Sequence, residues 1–211
     1  MVTTTEGAVT QAFCKLGASN DLNPIVLKAI KTRTKRWSSC PNQAMIDAKL
    51  TLNILFTYRL LIPPCVGFAF FQSICYGWIT DKRFKNLPAR MCVLCNQPGS
   101  EDCFYHYSFC HVLWNAYHKL GMARPRVFDN LQRHLLLLEN DNNKQLRMAF
   151  LHAVMNAVHK LRHQGCKCRA EDTENMIRAI FRETLSRHSG LKQLFSEMWL
   201  ERGIISDLSN F

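Results

Sequence analysis

MCVLCNQPGSEDCFYHYSFC, Met91 to Cys110, sets Cys92, Cys95, His106 and Cys110 at C-x2-C-x10-H-x3-C spacing. Two intervening residues let a tight knuckle turn aim Cys92 and Cys95 at one point, and three let His106 and Cys110 share one face of a helix. Pro98, Gly99 and Ser100 read as a turn between the two pairs. Three sulfurs and an imidazole are the donor set of a closed, tetrahedral Zn²⁺ site. Such a site keeps no position for water, so it organises a fold and hydrolyses nothing. The expected fold class is therefore mainly α, a helical domain with an embedded CCHC zinc knuckle.

Other cysteines carry weaker signals. Cys103 and His111 lie close enough to compete for a ligand position, but Cys103 lacks a partner at knuckle spacing. Cys14, Cys40, Cys65 and Cys75 show no ligand spacing and read as small buried hydrophobes. His163, Cys166 and Cys168 in RHQGCKCRA offer only C-x-C behind Gly165, which reads as a helix end and loop. His134, His152, His159 and His188 have no nucleophile or carboxylate at readable spacing and receive no catalytic role.

Outward from the knuckle, apolar residues recur at helical period. A helix is expected from Pro41 to Leu61, with Met45, Ile46, Leu50, Ile54, Leu55, Tyr58 and Leu61 along its stripe, ended by Pro63 and Pro64. An apolar helix to Trp78 follows, then a helix from Phe104 to Leu120 that carries His106 and Cys110. Beyond a short apolar segment, Val127 to Leu138, come three more. Lys144–His163 turns Leu146, Phe150, Val154, Ala157 and Leu161 inward; Thr173–Arg187 turns Ile177, Ile180, Phe181 and Leu185; Gly190–Arg202 turns Leu191, Leu194, Phe195 and Met198. Glu174 with Arg178, and Glu183 with Arg187, stand i,i+4 and read as helix-stabilising pairs. Leu60 to Ile79 has no charged residue, but the double proline and Gly67, Gln72, Ser73 and Gly77 make it a core helix, not a membrane span. Three segments are expected: 1–40, polar and basic; 41–121, helices plus knuckle; and 122–211, helical.

Charge points to a polyanionic partner. The 211 residues carry a formal net charge of +11, and the positive charge is clustered. Lys28, Lys31, Arg33, Lys35 and Arg36 fall in one run with no acid between Asp21 and Asp47, and Lys82, Arg83, Lys85 and Arg90 stand immediately before the knuckle. A zinc with three thiolates is net anionic, so part of the second cluster balances the site while the remainder is free to meet phosphates. The bland reading of the first run is a solvated face or a nuclear-localisation signal. Ten cysteines and an opening MVTTTEGAVTQA without basic or apolar signal regions suggest a reducing compartment, nuclear or cytoplasmic.

The run GWITDKRF, Gly77 to Phe84, followed by CVLC, the acidic pair Glu101 and Asp102, HYSFC and Trp114, resembles the zinc-binding segment near the C-terminus of non-LTR (LINE-type) retrotransposon reverse transcriptases. RHLLLLEN and MAFLHAVMNAVHKLRH are similar to the helical region that follows it, so the resemblance spans about residues 45 to 165. It implies that Cys92, Cys95, His106 and Cys110 hold zinc and that the segment holds RNA or single-stranded DNA. The family's aromatic-x-Asp-Asp motif, whose paired carboxylates bind two catalytic cations, has no counterpart here. The expected function is a retroelement-derived zinc-binding module that binds nucleic acid without its own polymerase active site. The alternative is a structural or protein-interaction domain in which zinc only stabilises the fold.

Overall fold

The computed structural model describes residues 28, 50, 53, 54, 57, 61–74, 80, 81, 90–122, 143–165 and 168–203. The chain divides into two compact units, Met1–Phe56 and Thr57–Phe211. In the first, the described positions Lys28, Leu50, Asn53 and Ile54 are helical, and most of the expected Pro41–Leu61 helix lies outside the described residues. Among the described residues of the second, six helices follow in order: α1 (Pro64–Ile74), α2 (Phe104–Phe109), α3 (His111–Lys119), α4 (Lys144–Gln164), α5 (Ala170–Ser186) and α6 (Ser189–Glu201). The protein is mainly α-helical, as expected. Among the described residues the β structure is one antiparallel bridge, Met91 with Glu101.

The double proline does two jobs. The Pro63 carbonyl accepts from the backbone N–H of Val66 and Gly67, each at 3.0 Å, so it caps α1, and Pro64 takes the first helical position, where a missing N–H costs nothing. Leu61, expected on the apolar stripe, is a turn residue with 60% of its surface exposed. Cys65 is exposed, not buried as expected; it stands in the first turn of α1. None of the described helices is long and apolar enough to cross a membrane.

Helix α4 is central, with α1 and α5 packed against it and α6 touching its flank. This explains why more of it is buried than the predicted stripe: Arg147, Met148, Ala149, Leu151, Ala153 and Val158 join Leu146, Phe150, Val154, Ala157 and Leu161 in the interior. Gly165, at φ 62°, ends α4 in the left-handed conformation that glycine adopts without steric cost. A ladder of aromatic contacts then runs through the core. Trp114 meets Tyr117 at 5.3 Å, Tyr117 meets Phe150 at 4.9 Å, Phe150 meets Phe181 at 6.4 Å, and Phe195 stands 5.5 Å from Phe181 and 5.4 Å from Trp199. Most are edge-to-face, the arrangement that the ring quadrupole favours. Both indoles of this ladder donate to a carbonyl: Trp114 to Ser108 at 2.8 Å and Trp199 to Leu120 at 3.0 Å.

Glu174 departs from its expected partner. Its carboxylate accepts from Lys119 Nζ at 2.5 Å and Asn115 Nδ2 at 3.0 Å, joining α5 to α3, while Arg178 donates to Asn175. Glu174 is buried where α5 meets α3, while Arg178, one turn on, is half-buried. The Glu183–Arg187 pair forms as expected, at 2.6 Å. Burial alone pushes the Glu174 carboxyl up, but the hydrogen bonds from Lys119 and Asn115 outweigh it and hold the group below its usual 4.5. A carboxyl depressed by folding contributes stability above its unfolded value and loses it as pH falls through the folded one. Glu174→Gln should therefore cost roughly 1 kcal/mol at neutral pH, discounted for the half-exposed Lys119. The loss should shrink as pH falls below about 4.5. Urea unfolding of both proteins across that range checks it, and a pH-independent difference refutes it.

Candidate metal centre

The knuckle is built by local geometry. The Asn96 N–H closes onto the Cys92 carbonyl at 2.8 Å with Asn96 at φ 48°, a left-handed position that asparagine tolerates. Gly99 at φ 78° then turns the chain back. The returning arm pairs with the outgoing one: Cys92 N–H donates to the Ser100 carbonyl and Asp102 N–H to the Arg90 carbonyl, both at 3.0 Å. Ser100 Oγ donates to the Gln97 carbonyl at 2.5 Å and lies 3.6 Å from Cys95 Sγ.

Cys103 caps the next helix. Its sulfur accepts from the His106 backbone N–H at 3.4 Å at the start of α2, so this competitor for a ligand position is used as a cap. The expected single helix from Phe104 to Leu120 is broken at Cys110, whose ψ of 122° is extended. Cys110 still donates to the Tyr107 carbonyl, ending α2, while its own carbonyl accepts from Trp114, starting α3. His106 and Cys110 are thus delivered by the end of one helix and the junction with the next, not by one helical face.

These turns bring Cys92, Cys95, His106 and Cys110 together, with their ligand atoms all within 4.8 Å of one another. Cys95 Sγ and His106 Nε2 are 3.4 Å apart, close to the roughly 3.5 Å that a tetrahedral ion with ordinary bond lengths requires. The three cysteines are buried and His106 is half-buried. The group can hold a metal ion. Hydrogen bonds from Cys110 and Cys92 hold the Cys95 thiol below its usual range. Hydrogen bonding to Cys110 and Cys95, with burial, pushes Cys92 up. Cys110 is pulled down by Cys92 but pushed further up by Cys95 and by burial, to about 11. One thiolate is thus favoured and the others hold protons that a cation would displace.

Beneath the quartet lies a polar network that spacing does not reveal. Asp102, wholly buried, accepts from the Asp81 backbone N–H at 2.8 Å, from Tyr107 Oη and from Arg162 Nη2. Asp81 accepts from the Arg90 N–H at 3.1 Å and from Arg162 Nη1 at 3.2 Å. Arg162, in the last turn of α4, thereby clamps the knuckle to the helical core. Burial, then the nearby Cys92 and Cys110, push the Tyr107 hydroxyl well above its ordinary value, so it stays a proton donor to Asp102.

The basic residues are only partly placed. Lys28 and Arg90 are exposed; Arg90 also lies 3.5 Å from Asp81. Lys31, Arg33, Lys35, Arg36, Lys82, Arg83 and Lys85 lie outside the described residues, as do Cys14, Cys40, Cys75, Cys166 and His134. No family model, curated protein or solved structure matches the chain.

Proposed function

We propose that the chain is a zinc-binding module of non-LTR retroelement origin, with Zn²⁺ held by Cys92, Cys95, His106 and Cys110, that binds RNA or single-stranded DNA and lacks a polymerase active site. The donor set favours zinc, because three soft thiolates and an imidazole in a tetrahedral cage suit it better than an oxygen-seeking cation. The observation that carries the binding reading is an aromatic pair on the surface of α2. Tyr105, 66% exposed, and Phe109, 37% exposed, stand 5.0 Å apart on either side of His106 in sequence. Exposed rings are costly on a surface without a partner and offer base-stacking platforms indifferent to sequence. Tyr107, the other stacking candidate, is buried against Asp102. The retroelement origin rests on the sequence resemblance alone. Asp81 and Asp102 form a carboxylate pair, but Arg162 occupies both, which suits a structural role better than Mg²⁺ catalysis.

Binding of short single-stranded RNA and DNA should weaken by roughly 1–3 kcal/mol for each lost stack in Tyr105→Ala and Phe109→Ala. It should fall with salt at a log–log slope of about 0.7 per phosphate contact. Joint reversal of Arg83→Glu and Lys85→Glu should weaken all sequences about equally, because phosphate contacts position without specifying. A flat salt response with unchanged affinity in these variants favours the second reading, in which zinc only closes the fold. The clamp of the knuckle onto α4 by Arg162 is the observation on its side.

A further inference from the structure

We propose that His159 and His163 form a second, surface metal site that takes a tetragonal or octahedral divalent ion of the copper or nickel type. The two residues are one turn apart on α4 and share a face. Both are exposed, and their Nε2 atoms are 3.0 Å apart with ring centroids at 4.2 Å. That is hydrogen-bond distance, and a metal ion can replace the single hydrogen bond with two coordinate bonds.

The separation selects the geometry. Nitrogens about 2.0–2.1 Å from a metal stand about 2.9 Å apart at a right angle and about 3.4 Å apart at a tetrahedral angle. The observed 3.0 Å fits the right angle, hence square-planar or octahedral coordination, which Cu²⁺ and Ni²⁺ prefer and structural zinc does not. The Cys95–His106 separation of 3.4 Å fits the tetrahedral alternative, so one chain presents two sites with different preferences. The pair also sits in the last two turns of α4, where terminal carbonyls carry partial negative charge and favour a cation. Nearby Arg162 is neutralised by Asp81 and Asp102, and Lys160 follows His159 on a different face. Among the described residues the Cys3His quartet is the one group of three or more ligand-type side chains. The histidine pair therefore leaves further coordination positions to water or an added ligand.

The test is equilibrium dialysis of the zinc-loaded full chain against Ni²⁺ at roughly pH 7.5, because protons compete with metals for their ligands at lower pH. One nickel equivalent should bind with zinc retained. His159→Ala and His163→Ala should each weaken nickel binding on the order of 10²-fold, because the second imidazole no longer acts as a tethered ligand. His118→Ala, which removes an exposed histidine from α3, should not change it. Both tested residues are exposed, so unchanged zinc content and helical circular dichroism verify folding. Absence of added nickel in the parent, persistence in the double variant, or nickel entering only by expelling zinc each overturns the proposal.

Discussion

Cys95→Ser should abolish stoichiometric zinc and loosen the chain from Met91 to Leu120 while leaving the packing of α4, α5 and α6 in place. A hydroxyl does not replace a thiolate on zinc, and the metal's apparent contribution to folding of small zinc-binding units is on the order of 10 kcal/mol. As far as Cys110 its internal structure is one bridge, two turns and the six-residue α2, tied to α4 through Arg162 and continued by α3. The helical core keeps the contacts among Phe150, Phe181, Phe195 and Trp199. Hydrogen exchange should therefore accelerate across 91–120 and stay slow in the middle of α4 and α5. Cys103→Ser should keep its zinc, because Cys103 caps a helix. Full zinc occupancy in the Cys95 variant, or none in the parent, rejects the assignment.

Arg162→Met should be the most damaging change away from the quartet. It removes the counter-charge from Asp102, which is wholly buried, and one of the two arginines that meet Asp81, and stranding a buried carboxylate costs about 3–5 kcal/mol. In a chain of this size that lowers Tm by roughly 10–15 °C. Adding Asp102→Asn should recover a large part of the loss, since the amide no longer strands a charge. A double-mutant cycle on thermal unfolding gives the coupling. Parent-like stability in Arg162→Met would show that the clamp contributes nothing.

The helices downstream of residue 143 were legible because their apolar residues keep one period and their ends carry glycine, as at Gly165. The quartet was legible because both pairs sit close in sequence. Cys110 was misplaced for an instructive reason: HYSFCHVLWNAYHKL reads as one helix by propensity, whereas the chain breaks at Cys110, where its sulfur joins the quartet and the Trp114 indole reaches back to the Ser108 carbonyl. The Asp81–Asp102–Arg162 clamp was invisible because its members lie 21 and 60 residues from Asp102 and each alone looks like a surface charge. Glu174 was misread similarly, its partner Lys119 being 55 residues away. A local spacing rule cannot see a pairing that only tertiary packing creates.

The clamp also sets an order of events at the ribosome. Cys110, the last residue of the quartet, is made about 50 residues before Arg162. At synthesis rates of about 5–20 residues per second, the nascent chain spends roughly 3–10 s with all four ligands translated and the arginine still missing. During that interval Asp102 lacks its arginine and Asp81 has Arg90 but not Arg162, so the knuckle must hold without its tie to α4 until that helix is made and docks.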